Sequence, residues 1–141
     1  MWKKTHTKIY PGIKSQDVWK IWIDINNWPK WHSDLESCKL EGSFSVGNHF
    51  MLKPKGMGPV KILLTQIDEG RSFTDCTKFP GASMYDLHEL EDTPAGLVMK
   101  NTLMVKGFLS FLWIKLVAQK VGDSVPEEMD ALVQYLQGGH E

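Results

Sequence analysis

The chain has 141 residues, 42% hydrophobic and 23% charged, enough for one globular unit with its own apolar core and no need of a disulfide scaffold. Lysine plus arginine number 16 against 17 acidic residues, so the net charge is -1. The pI near 6.5 argues against a dedicated nucleic-acid binder, which usually carries a basic stripe. Cys38 and Cys76 stand far apart with no CxxC context, so a reducing, cytoplasmic setting is expected.

Trp2–Tyr10 alternates loosely and is read as a first strand, closed by Pro11-Gly12. Ser15 is placed as a helix N-cap, with Asp17 in the first turn where the helix dipole favours an anion. Val18, Trp19, Ile21, Trp22 and Ile25 follow at helical spacing and make one apolar stripe. Asn26-Asn27 ends this helix, and Pro29 suits the first turn of a second short one running to about Ser33.

Residues 35–106 are short apolar-rich runs. The turn signals between them fall at Glu41-Gly42, Lys55-Gly56 through Pro59, Glu69-Gly70, Pro80-Gly81 and Pro94-Ala95-Gly96. This spacing predicts an antiparallel meander of six strands, which with the first makes seven. Residues 108–121 are apolar on most sides, so a helix buried on more than one side is expected there. Gly122-Asp123 loosens it, and Ser124 with Glu127 fits a capping box. Val125, Met129, Leu132, Val133 and Leu136 make a final stripe that Gly138-Gly139 stops. No run approaches the roughly 18–20 apolar residues of a membrane span, and no secretory leader is expected from the residues after Lys3 and Lys4. The order of elements is an α+β layout, with a curved seven-stranded antiparallel sheet wrapped around a long C-terminal helix.

Three stretches carry a family resemblance. Val18-Trp19 followed by Asn27-Trp28-Pro29-Lys30-Trp31-His32 is similar to a "VW…D…WP.W" pattern. Gly70-Arg71-Ser72-Phe73-Thr74-Asp75 is similar to "GR.F.D", and His88 with Gly96 and Gly107 to "H…G…G.L". In this order they resemble the helix-grip (SRPBCC) superfamily of START lipid-transfer domains, the birch-pollen-allergen fold and polyketide cyclases. The polyketide cyclase/dehydrase and lipid-transport branch is the nearest in pattern. The resemblance covers residues 1–141 as a single domain, and makes Trp28 and Trp31 structural corners of the short helices. It leaves the reaction open, because members of this superfamily bind or transform very different molecules.

Strand alternation then selects candidate site residues. Lys100 and Lys106 put Leu97, Met99, Asn101, Leu103 and Val105 on the row facing the helix, with Asn101 its one polar member. Phe73 and Phe79 share a parity with Asp75 and Thr77, and Met84 and Leu90 share one with Asp86 and His88, although Tyr85 and Leu87 offer a rival row. A connection over residues 80–83 sets Asp75 opposite His88, where a carboxylate hydrogen-bonds an imidazole and raises its pKa. A slip of two residues pairs Asp75 with Asp86 instead. Asp75 and His88 are therefore the candidate catalytic pair, as general base and acid, or else a polar floor that orients a ligand. A hydrogen-bonded pair bracing the sheet is the structural alternative. Phe50, Leu52, Phe73, Asp75, Thr77, Asp86, His88, Asn101, Leu103, Leu112 and Leu116 are expected to line the cavity.

The remaining features favour packing over chemistry. Trp19 and Trp22 sit on a helix stripe, and His32 with Asp34 is too small a set for a metal. No HxxxH, HxxE or CxxC spacing appears, so no metal is expected. No GxSxG elbow surrounds a serine, and both cysteines read as inert thiols. Phe108, Leu109, Phe111, Leu112 and Trp113 are expected to bury against the sheet rather than lie on a membrane. The expected function is binding a small hydrophobic or amphipathic ligand, lipid- or polyketide-like, between sheet and C-terminal helix. Two alternatives stay open. One is a polyketide cyclase or dehydratase, a lyase or isomerase using the inward Asp75/His88 pair. The other is a protein-interaction module, which calls for a large exposed apolar patch in place of a closed pocket. No cofactor, nucleic-acid partner or stable membrane insertion is expected.

Overall fold

Turn chemistry sets the topology. The computed structural model describes residues 2–139. β1 (Trp2–Tyr10) leads into α1 (Ser15–Ile23) and a 3-10 helix (Ile25–Lys30). β2 (Leu35–Leu40), β3 (His49–Pro54), β4 (Val60–Asp68), β5 (Ser72–Phe79), β6 (Ala82–Thr93) and β7 (Gly96–Lys106) follow. They form one antiparallel sheet in the order β1-β7-β6-β5-β4-β3-β2, so β2 to β7 are a meander and β1 closes onto its far edge. Register shifts near Ser37 and between Leu64 and Gln66 bend the sheet locally.

The β5–β6 connection corrects the expected register. Phe79 pairs with Ala82, so the turn is Pro80-Gly81 alone. Proline fixes its first central residue, and Gly81 at φ 75° supplies the positive φ that a type II turn needs at the second. Asp75 therefore lies opposite Asp86, and Phe73 opposite His88.

The C-terminal segment runs as α2 (Ser110–Trp113), a wide π-helical turn (Ile114–Ala118), α3 (Gln119–Gln134) and a second wide turn (Tyr135–Gly139) kinked at Gly138. Gly122 and Asp123 do not interrupt α3, and Ser124 does not cap it: its hydroxyl donates to the Val121 carbonyl at 2.8 Å. A side chain at Gly122 would meet Lys4 Cδ at 2.8 Å, so this glycine lets α3 approach the sheet. The helix is tied to β1 by Lys4–Asp123, by Lys8–Asp130 at 2.7 Å and by the Tyr10 hydroxyl donating to Asp130 at 2.6 Å. Ser15 is likewise no N-cap. It is the first residue of α1, and its amide and hydroxyl donate to Asp92 at 2.9 and 2.5 Å, which ties the helix to the β6–β7 hairpin.

Residues 108–116 depart most from expectation. Phe108, Phe111, Leu112 and Leu116 are 83%, 69%, 39% and 57% exposed, so Leu112 and Leu116 reach solvent rather than the buried place expected of them. The sheet-facing places are taken by Trp113 and Ile114. The Trp113 ring stacks on Phe79 at 4.5 Å, and its indole N–H donates to the Pro80 carbonyl at 2.8 Å. Among the described residues no helix is long and apolar enough to cross a membrane.

Candidate functional site

Two apolar clusters fill the space between sheet and helices. The larger joins the four tryptophans of residues 19–31 to Phe50, Leu64, Phe73, Leu97, Met99 and the α3 residues Val125, Met129, Leu132 and Val133. The smaller joins Ala82, Met84, Leu103, Val105 and Ala118. The strand register puts a polar band where the two meet. One inward row reads Phe73, His88, Asn101, His6, and the next reads Asp75, Asp86, Leu103, Lys4.

The band is tightly organised. Asn101 Nδ2 donates to Asp86 Oδ1 at 2.6 Å. His88 Nε2 faces Asp86 Oδ2 at 3.6 Å, and its Nδ1 lies 3.3 Å from the Phe73 carbonyl. The imidazole stacks on the Phe73 ring at 4.1 Å and 6° and meets the edge of Trp22 at 5.5 Å. These two rings fix the imidazole plane. Donor atoms of Asp75, Asp86 and His88 all lie within 4.8 Å of one another. Asp75 is 7% exposed and accepts no hydrogen bond from any described residue.

Burial is the first cause of an upward shift in both aspartates. Desolvation, then the charges of Asp86 and Glu128, hold the Asp75 carboxyl well above the usual carboxylate range. Burial also raises Asp86, while His88 and the Asn101 hydrogen bond pull it back. Glu128, on α3, also pairs with His32 Nε2 at 3.4 Å. Burial lowers the His32 pKa, but the hydrogen bond and charge of Glu128, with the Asp34 charge and a backbone hydrogen bond, together leave the imidazole above its usual value.

The cavity beside this band holds about 30 Å³, the room of a single water. Trp22, Trp31, His88, Asn101, Met99, Glu128 and Leu132 are among its walls. Trp31 also walls an open groove of about 280 Å³ outside, with Asp17, Lys20, Ile21, Asp24, Asn27, Tyr135 and Leu136. One buried indole therefore separates a surface groove from the polar band, and its N–H has no partner among the described residues.

Of the residues singled out from sequence, Asp75, Asp86, His88 and Asn101 come together. Phe50 and Phe73 are fully buried, and Leu52 packs partly buried against the larger cluster. Thr77 lies one row beyond Asp75, opposite Met84, and Leu103 belongs to the smaller cluster. Glu128 escaped sequence reading. Its signal was an acid on the same helical face as Val125, Met129 and Leu132. Cys38 is buried with its thiol pushed up to about 12, and burial also raises Cys76, so neither is an activated nucleophile.

No known family profile matches the chain, and no curated protein does. Solved structures do. The structure of Ara h 8.0201 matches at 16% identity and TM-score 0.72, over 96% of this chain and 99% of that one. A START superfamily protein from Mycobacterium smegmatis matches at 13% identity and TM-score 0.69, over 96% and 97%. Norcoclaurine synthase from Thalictrum flavum, in complex with dopamine and hydroxybenzaldehyde, matches at 14% and TM-score 0.71, over 96% and 87%. At these identities the likeness establishes the helix-grip fold.

Proposed function

From the helix-grip fold shared with these structures, we propose that the chain binds one small amphipathic molecule through the Trp31 groove, its polar end directed at His88, Asn101 and Glu128. The observation that carries this is Trp31, which walls both the outer groove and the inner cavity and whose buried N–H has no partner among the described residues. A ligand acceptor atom would satisfy that donor. The outer volume of about 280 Å³ sits at the lower end of ligand pockets, roughly 300–1,000 Å³, and suits a molecule of one or two rings rather than a lipid. The neighbour solved with dopamine and hydroxybenzaldehyde supports that size class. Apolar contact with Trp31, Ile21 and Leu136 would supply most of the affinity, and the polar band the orientation.

The test is a titration with an anilinonaphthalene sulfonate dye in metal-chelating buffer, read by energy transfer from tryptophan. We expect one site per chain. His88→Ala should weaken binding by about tenfold, equivalent to ~1.4 kcal/mol, and Trp31→Ala should speed association by opening the passage. Unchanged affinity and rate in both variants would overturn the proposal.

Two further readings rest on particular observations. The buried Asp75 carboxyl, its pKa raised by desolvation, supports a cyclase or dehydratase in which its acid form donates to a developing oxyanion while His88 takes the proton. The apolar surface of Phe108, Phe111, Leu112 and Leu116 supports the interaction-module reading instead. If that surface mediates association, Phe111→Glu should abolish any self-association seen by sedimentation. A chain that sediments as a monomer at high concentration with or without the change removes self-association.

A further inference from the structure

We propose that Asp75, Asp86 and His88 bind one divalent first-row transition cation. This goes beyond the ligand reading, although it shares His88 with it. Three donors from two neighbouring strands converge from one sheet face, with their ligating atoms within 4.8 Å of one another. Two carboxylate oxygens and an imidazole nitrogen are a donor set that zinc, manganese and ferrous iron accept.

The uncompensated groups point to a cation rather than to a structural network. Asp75 is more than nine-tenths buried, is directed at Asp86 and His88, and accepts no hydrogen bond from any described residue. Asp86 has one oxygen held by Asn101, which leaves Oδ2 toward the cluster. Where His88 donates from Nδ1 to the Phe73 carbonyl, its Nε2 presents a lone pair to Asp86 Oδ2 at 3.6 Å. That is acceptor against acceptor, and a cation between them resolves it. A backbone carbonyl on the far ring nitrogen is also the partner that metal-binding histidines commonly use to fix their tautomer. Lys4 and Lys8, the lysines of this sheet face, are committed to Asp123 and Asp130. Glu128 adds a third carboxylate close enough to raise both aspartates, and the cavity of about 30 Å³ leaves room for a water on the metal. A zinc ion at ~2.0–2.1 Å from each donor would hold them roughly 3.4 Å apart, so loading requires the donors, now within 4.8 Å, to close by up to about 1.4 Å.

The experiment uses chelator-treated full-length chain dialysed against excess Zn²⁺ and, separately, Mn²⁺. Bound metal is counted, and melting is followed with and without metal. One equivalent of at least one of the two ions and a rise in melting temperature are expected for the native chain. Asp75→Asn and His88→Ala should each weaken that binding by more than about tenfold. The metal-free Asp75→Asn variant should melt no lower than the metal-free native chain, because the change removes a buried acid, and this establishes that it folds. Failure of both ions to bind stoichiometrically would overturn the proposal, as would equal binding by both variants, which assigns the metal to the surface. The dye titration runs in chelator, so the ligand reading and the cation reading fail separately.

Discussion

Phe73→Ala should lower the unfolding free energy by about 3–5 kcal/mol, the largest loss expected from any single truncation in this chain. Phe73 is fully buried where the larger cluster meets the polar band. Its ring makes edge contacts with Trp22 at 5.3 Å, Phe44 at 5.3 Å and Trp19 at 6.3 Å, and it stacks on His88. Truncation loses the transfer energy of the ring and leaves a hole, because neighbouring rings from α1 and the sheet cannot all collapse into it. The hole would open beside the small cavity and release one of the two faces that hold the imidazole. Such a space, on the order of 100–150 Å³, admits benzene in other proteins, so benzene should restore part of the lost melting temperature. Equilibrium unfolding in urea measures the first effect. A loss below about 1 kcal/mol would show that the cluster relaxes around the site and that Phe73 does not anchor it.

Gly107→Ala should cost about 3 kcal/mol or more, although it adds a single methyl group. Gly107 has φ 124°, a conformation that costs an L-residue roughly 1–2 kcal/mol. Its Cβ would also stand 2.4 Å from the Gly81 carbonyl oxygen and 2.7 Å from Ala82 Cα, both backbone atoms that cannot swing aside. The Gly81 carbonyl also accepts the Leu109 amide at 3.0 Å. Displacing it would lift residues 108–113 from the Pro80-Gly81 turn and strain the Trp113 contacts with Phe79 and Pro80. A shift in tryptophan emission should therefore accompany the loss of stability. Gly58→Ala is the control: that position has no positive φ and nothing within 4 Å of the added carbon, so it should be close to neutral. Equal effects at both sites would refute the steric account.

The fold was legible because its signals are local. Each hairpin carries its own turn residues, and two of the glycines in the resemblance, Gly96 and Gly107, prove to be close-approach points, Gly96 lying against the Tyr10 carbonyl and Pro11. Apart from Ser124, whose hydroxyl turns back to the nearby Val121 carbonyl, the misreadings involve partners distant in sequence. Ser15 looked like a cap because its hydrogen-bond partner Asp92 lies 77 residues away. The apolarity of residues 108–116 gave no sign of which residues would face the sheet. At the site, parity put Asp75, Asp86, His88 and Asn101 on one face, but the register depended on whether Pro80-Gly81 formed the whole turn. An aspartate and a histidine two apart on one strand, with an aspartate across from them, match no local metal spacing. That grouping exists only once β5 and β6 are paired.

The wide turn at Ile114–Ala118 is a phase correction. Counting back from Ala118 by about two regular turns, a continuous α-helix would bring Phe111 onto the face that runs on through Gly122, Val125 and Met129, with Lys115 beside it. The wide turn takes up one extra residue and slips the earlier segment by about 100°, so Trp113 and Ile114 face the sheet and Lys115 remains in water. A version of the chain shorter by one residue between 114 and 118 could therefore run as regular helix and keep both faces. The same deletion within Gln119–Gln134 would rotate Glu128 relative to the rest of that helix and break up the band. The C-terminal helix thus has a place where its length can vary, and that place precedes Gln119–Gln134, the segment that carries Glu128 to the polar band.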